Sequence, residues 1–237
     1  MTSVQPRTRT ISIWNGIRTP LLVPFRRWTG VAWGIDIPMA FATSEDGLMN
    51  RDDLILEFHT KALALLEDDS EENRHRIAIL LRELALKPGI LPDVALDRLH
   101  DTGSTATILH QGEDGRGALM LLRLPDDAPT PIHNHNTWGV AVVVQGTNHY
   151  WRWVRTDDLS DPNHADLELA GDFEHGPGEY VVWGDPPDDL HAQQGVNGAA
   201  YEFVFFGRNP NMQPRAYFDA GTGAITYASA VDAAAMR

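Results

Sequence analysis

With 237 residues, 43% of them hydrophobic, the chain is long enough to bury a substantial core, as one large domain or as one domain with an appended layer. Its 33 acidic against 19 basic residues, a formal net charge of −14, argue against nucleic acid and anionic membranes as partners, because both recruit clustered Lys and Arg. The absence of cysteine excludes disulfides, thiolate nucleophiles and zinc-thiolate sites, which leaves histidine and carboxylates as the strong metal ligands.

No apolar run approaches the roughly 20 residues that span a bilayer, and residues 1–10 are polar where a secretory signal would be apolar, so a cytoplasmic protein is expected. Residues 1–50 carry Trp14, Trp28 and Trp33 among prolines and glycines with no sustained period. An irregular arm is expected there, packed on the rest of the chain or on another subunit of a homo-oligomer. Residues 51–102 are expected to form a helical layer. Leu54, Phe58, Ala62 and Leu65 fall at helical spacing, Asp69 with Glu72 resembles a capping pair, and Ile77, Leu80, Leu81 and Leu84 make the apolar stripe of a second helix. Pro88-Gly89 ends it, and Pro92 is placed to open a short third helix reaching Leu99.

Beyond Gly103 the period shortens to two. Strands are expected over 105–110, 118–124, 140–145, 148–154, 179–183, 191–194 and 201–206, separated by turn signals such as Gln145-Gly146 and Gly176-Pro177-Gly178. Many short strands at even spacing predict an all-β sandwich or barrel over residues 103–237.

The chemistry concentrates in Pro131-Ile132-His133-Asn134-His135-Asn136-Thr137-Trp138-Gly139. Histidines two apart on an extended segment project from one face, so His133 and His135 can converge on one ion. The pattern His133-x-His135-x3-Gly139-x6-Gly146 is followed by Gly178-x5-Gly184, then Pro186, His191 and Asn197. Together these resemble the two-part motif of the cupin superfamily over roughly residues 105–228. The resemblance implies a double-stranded β-helix barrel behind an N-terminal α-helical layer, with His133, His135 and His191 as metal ligands. Gly139 stands where that motif usually has a glutamate, so the implied site is three neutral histidines without a carboxylate.

Three-histidine cupins with this replacement look most like the thiol dioxygenases, of which cysteine dioxygenase is the best-known type. Residues 107–124 with the Gln111-Gly112 turn, and the closing stretch Ala216-Tyr217-Phe218-Asp219-Ala220-Gly221-Thr222-Gly223, are similar to that family in placement. The family's carboxylate-binding arginine would fall near Ala106 or Thr107, and its Ser-x-His-x-Tyr element on Val204, Phe206 and Arg208, so L-cysteine is not the expected substrate. The implied activity is Fe(II)-dependent oxidation of another small, anionic thiol to a sulfinate by molecular oxygen. Imidazole ligands alone also suit zinc, nickel and copper. Two other readings keep the same histidines: a dioxygenase cleaving a carbon–carbon bond of a diketone or hydroxylated ketone, and a metal-bound sensor or ligand-binding barrel without turnover.

Arg208, Phe206 and Trp138 are the expected substrate-binding residues. Alternation puts Val204, Phe206 and Arg208 on one strand face, where Arg208 could hold a carboxylate with a two-pronged contact. Trp138 follows the ligand segment closely enough to line the cavity. His149, His164 and His175 lie off ligand spacing and read as surface or loop histidines. Residues 185–189 lack the alternating oxygen ligands of a calcium loop and read as the tight turn that delivers His191.

Overall fold

A computed structural model describes residues 50–91 and 106–229. The expected arm over residues 1–50 and the short helix from Pro92 lie outside the described residues, save Asn50. Two helices come first, α1 (Arg51–Leu65) and α2 (Glu71–Ala85). Asn50 caps α1 by accepting from the Asp53 amide at 3.0 Å. Ser70 caps α2 by accepting from the Asn73 amide at 3.3 Å, so the cap falls one residue beyond the expected Asp69. Asp69 is instead spent on tertiary contacts described below. Ile77, Leu80, Leu81 and Leu84 are fully buried, as their spacing predicts, while on α1 the buried set is Ile55, Phe58, His59 and Ala62.

The remaining chain forms two antiparallel sheets. One has the order β1 (Ala106–His110), β2 (Arg116–Leu124), β9 (Ala200–Arg208), β4 (Gly139–Gln145), β7 (Tyr180–Trp183). The other runs β11 (Ile225–Ala228), β10 (Arg215–Phe218), β3 (Ile132–His133), β8 (His191–Gly195), β5 (Asn148–Arg155), β6 (Leu167–His175). Strands far apart in sequence are neighbours in both sheets, and the two sheets face each other around one interior as a double-stranded β-helix. Strands β6, β10 and β11 add to the set expected from alternation.

Strand parity sorts the side chains. Met120, Ala141, Tyr150, Val181, Trp183, Val204 and Phe206 point inward and form the barrel core. Their neighbours Leu119, Leu121, Phe203 and Phe205 point outward into the helices, where the rings of Phe58 and Phe205 meet edge to face at 5.5 Å. Gly117, at φ +62°, permits this docking, since a Cβ there would press on Leu63 and Phe205. The helical layer thus covers the first sheet.

Deep in the interior Glu202 is 1% exposed, and its two oxygens accept amide hydrogens from Asn148 (2.6 Å) and Gln193 (2.9 Å). Burial raises its pKa from 4.5 to about 7, against the lowering effect of those two amides. Between pH 4.5 and 7 the folded chain therefore keeps a proton that the unfolded chain has lost, so this group's contribution is most favourable at low pH. Rising pH should remove roughly 3 kcal/mol across that window. Asn148 Oδ1 is buried without a partner, so turning that amide over would satisfy a glutamine at 202. Glu202→Gln is expected to flatten the fall in urea-unfolding free energy between pH 5 and pH 8. An unchanged slope would show that Glu202 is ionised throughout.

Candidate metal centre

Two short strands bring the histidines together. His133 on β3 pairs with His191 on β8 as direct cross-strand neighbours, and His135 follows two residues after His133 on the same face. The ring centroids of His133, His135 and His191 lie 4.8, 4.8 and 4.9 Å apart, and one nitrogen from each falls within 4.8 Å of the others. Among the described residues this is the group of three or more such ligands that could hold an ion. The Nε2 atoms of His135 and His191 are 3.1 Å apart. Two nitrogens each about 2.1 Å from one ion, at a right angle, would be about 3.0 Å apart.

The electrostatics also fit a metal. Burial holds His135 well below the usual imidazole pKa, helped by Arg215, His133 and His191; burial, then His133 and Arg215, do the same to His191. A neutral imidazole is the form that ligates. His133 Nδ1 lies 2.9 Å from the Pro131 carbonyl, a contact that makes Nε2 the nitrogen that would ligate. The Nδ1 atoms of His135 and His191 are buried without a hydrogen bond of good geometry, although the Asp189 backbone is close enough to His191 to oppose part of the lowering by burial.

Gly139 explains the missing carboxylate. It faces the barrel interior directly opposite Trp183 on β7, and a Cβ built on it would clash with the Trp183 ring. That indole donates to the Thr137 carbonyl at 3.2 Å and contacts the rings of His135 (5.6 Å), His191 (5.3 Å) and Phe206 (5.8 Å). Trp183 therefore fills the space from which a side chain at 139 would approach the ion.

The loop between β3 and β4 is held by carboxylates. Asp189, 1% exposed, accepts from the His135 and Asn136 amides at 2.9 and 3.0 Å, and Asp185 accepts from the Trp138 amide at 3.2 Å. Burial raises the Asp189 pKa to about 6, opposed by those two amides. Residues 185–189 thus form the turn that delivers His191, as expected.

Phe206 sits against the site, its ring 4.8 Å from His135. Arg208 is exposed and lines a cavity of about 180 Å³ together with His135, Thr137 and Asn136. Trp138 is turned the other way: its indole donates to Asp69 at 3.1 Å and lies under the Arg74 guanidinium at 4.9 Å, on the side of the helices. Parity accounts for this, because residue 138 alternates with the inward-facing Gly139. The expectation that Trp138 lines the cavity is corrected accordingly.

Arg215 is a cation that local pattern did not single out. Tyr217 pairs with His133, and the Asn134 amide donates to the Ala216 carbonyl at 3.1 Å, so one further step in this register sets Arg215 opposite His135. Its Nη2 donates to Asn211 at 3.0 Å, while its Nε is buried without a partner. Arg152 stands opposite His191 on β5. The visible signal was the alternating run Arg215-Ala216-Tyr217-Phe218 before the Asp219-Gly223 turn.

No protein-family profile and no curated protein matches the chain. Among solved structures, it is similar to a cupin superfamily protein from Desulfitobacterium hafniense, 13% identical over 44% of this chain and 76% of that one, with a TM-score of 0.32. KdgF from Halomonas sp. is 14% identical over 45% of this chain and 82% of that one, TM-score 0.34. An oxalate oxidase in complex with the substrate analogue glycolate is 20% identical over 40% of this chain and 43% of that one, TM-score 0.31. Likenesses this distant and partial say nothing about substrate. The chain itself is a double-stranded β-helix with a buried three-histidine group of metal-ligand geometry.

The packing of Trp183 on Gly139 can be measured. Gly139→Ala in the metal-free protein is expected to cost about 1–3 kcal/mol by overpacking, and close to nothing when Trp183→Ala has already opened the space. Equal costs in both backgrounds, read by denaturant unfolding, would show that the indole does not occupy that space.

Proposed function

We propose that this chain is a non-heme Fe(II) dioxygenase that converts a small anionic thiol to the sulfinate, RSH + O2 giving RSO2H. The observation that carries this reading is the three-imidazole group, which among the described residues no carboxylate joins. Three neutral ligands leave the full charge of a divalent ion uncompensated, which favours an anionic thiolate as the incoming ligand. A bound ferrous ion would supply the redox chemistry by which dioxygen reacts with a coordinated thiolate.

The residues of the chain do the rest. His133, His135 and His191 would hold the ion. Trp183, Phe206 and Tyr217 wall the histidines with aromatic rings, Tyr217 stacking on His133 at 5.9 Å, and keep bulk water from that side. Arg215 would bind the substrate's anionic group: burial lowers its pKa from the usual guanidinium value, and its Nε has no partner to satisfy it. An anion placed beside Arg215 would accept from that Nε–H. Arg208, exposed at the rim of the small cavity, would steer the same anion inward through solvent. A cavity of about 180 Å³ suits a compound of few atoms.

Protein purified without oxygen is expected to carry iron stoichiometrically, and to consume oxygen in proportion to sulfinate formed from one member of a panel of small thiols. His191→Ala should abolish both. Carboxylated fragments from a diketone would instead support the carbon–carbon cleaving reading, and metal occupancy without oxygen uptake on any compound would support a sensor.

The two arginines separate in steady-state kinetics. Arg215→Ala is expected to raise KM for the anionic thiol by roughly ten- to hundredfold, the loss of a charge-assisted contact worth about 1.5–3 kcal/mol, with metal content unchanged. Arg208→Ala should change KM by less than about threefold, since exposed charges contribute little. The reverse ranking would move the anion site to the rim.

A further inference from the structure

Among the described residues, Asp189 is the buried carboxylate that touches the segments carrying two different histidines of the group. It lies on the turn between β7 and β8, two residues before His191. Its Oδ2 accepts from the amides of His135 and Asn136, so one oxygen fastens the loop of His135 to the turn of His191. Asn136 needs that hold: its backbone is in the left-handed region at φ 59°, and its side chain donates to the Pro214 carbonyl at 2.9 Å.

The geometry of Asp189 contains more than a brace requires. Both loop amides go to the same oxygen, while Oδ1 is buried with no partner. A neutral asparagine could take both amides on its single carbonyl oxygen and spare the chain the desolvation of a charge. Among the described residues, the side-chain cation that acts on both His135 and His191 is Arg215 on β10. Three imidazoles bring no negative charge to a divalent ion, and this arginine opposes its entry.

We propose that Asp189 is a positioning residue that supplies the counter-charge of the three-histidine site from outside the coordination shell, so that affinity for a divalent ion depends on its charge as well as on its hydrogen bonds. The proposal rests on the reading of His133, His135 and His191 as metal ligands. It puts the anion that other sites carry on a ligand onto the scaffold behind two ligands.

The test is calorimetric titration of the full-length, metal-free chain with Zn(II), together with its metal-free melting temperature. Asp189→Asn, which keeps the acceptor and removes the charge, is expected to melt within a few degrees of the parent and to bind Zn(II) at least tenfold more weakly. Asp189→Ala should lose both affinity and stability. Should the Asn variant not fold, Asp189→Glu carries the test: it keeps the charge while displacing the oxygen, and its affinity is expected to stay nearer the parent's than the Ala variant's does. A folded Asp189→Asn that binds Zn(II) within twofold of the parent overturns the counter-charge, as does an Asp189→Glu no better than Ala. A parent that binds no Zn(II) overturns the three-histidine reading itself, and this proposal with it.

Discussion

Three imidazoles packed against one another in a buried pocket cannot all carry a positive charge, and much of the site follows from that. Desolvation and mutual repulsion drive His135 and His191 to the neutral form, with Arg215 pressing in the same direction. Neutral rings with lone pairs turned toward a common point are a poor end state in the absence of a cation, because two of them also leave Nδ1 unsatisfied. The chain holds this arrangement through contacts that are not its own hydrogen bonds: the direct pairing of β3 with β8, the carboxylate of Asp189, and the indole of Trp183 against two of the rings. Stability elsewhere in the barrel supports a locally unfavourable cluster, a pattern common at functional sites.

The helical layer takes part in this support and is more than a cover for the first sheet. Arg74 on α2 reaches Asp69 before the helix at 2.8 Å and Asp185 on the β7–β8 turn at 3.2 Å, and stacks over Trp138. Trp138 in turn donates its indole N–H to Asp69 and its amide to Asp185. These four residues close a ring that spans the helices, the ligand loop and the turn before His191. Most of its members are only partly screened from solvent, and one such pair alone would count for little, yet linked contacts restrain one another. A displacement of α2 would be felt at the ligand loop.

The metal-ligand triplet was legible in the sequence because it rests on local rules: histidines two apart on an extended segment share a face, and Gly178, Gly184 and Pro186 announce the turn before His191. Helix α2 was legible for the same reason, its apolar stripe being regular over four residues that are all fully buried. Strand β6 was not, because Leu167–His175 lies at a sheet edge and carries acidic residues on its exposed side, which hides the alternation. Arg215 escaped for a different reason: four residues of strand say nothing of what lies opposite, and its nearness to His135 is a property of the β10–β3 register. Trp138 was misplaced although parity alone could have placed it, since closeness in sequence to a ligand was weighed above the alternation that sends neighbouring residues to opposite faces. The exclusion of a carboxylate by Trp183 joins two strands more than 40 residues apart, and only the paired structure reveals it.

The backbone of the ligand loop is satisfied in an unusual currency. The amides of His135, Asn136 and Trp138 all donate to carboxylates on the turn before His191, and none of these three bonds belongs to a sheet ladder. The shape of the loop is consequently stored half a barrel away in sequence, in Asp185 and Asp189. The short histidine motif is therefore not a portable part. Grafted onto another barrel without those two acids, it would arrive with three donors unpaired and no reason to hold its curve, however faithfully its own residues were copied. The unit that could be transplanted is the pair of segments, loop and acidic turn together, much as a key is transferred only with its lock.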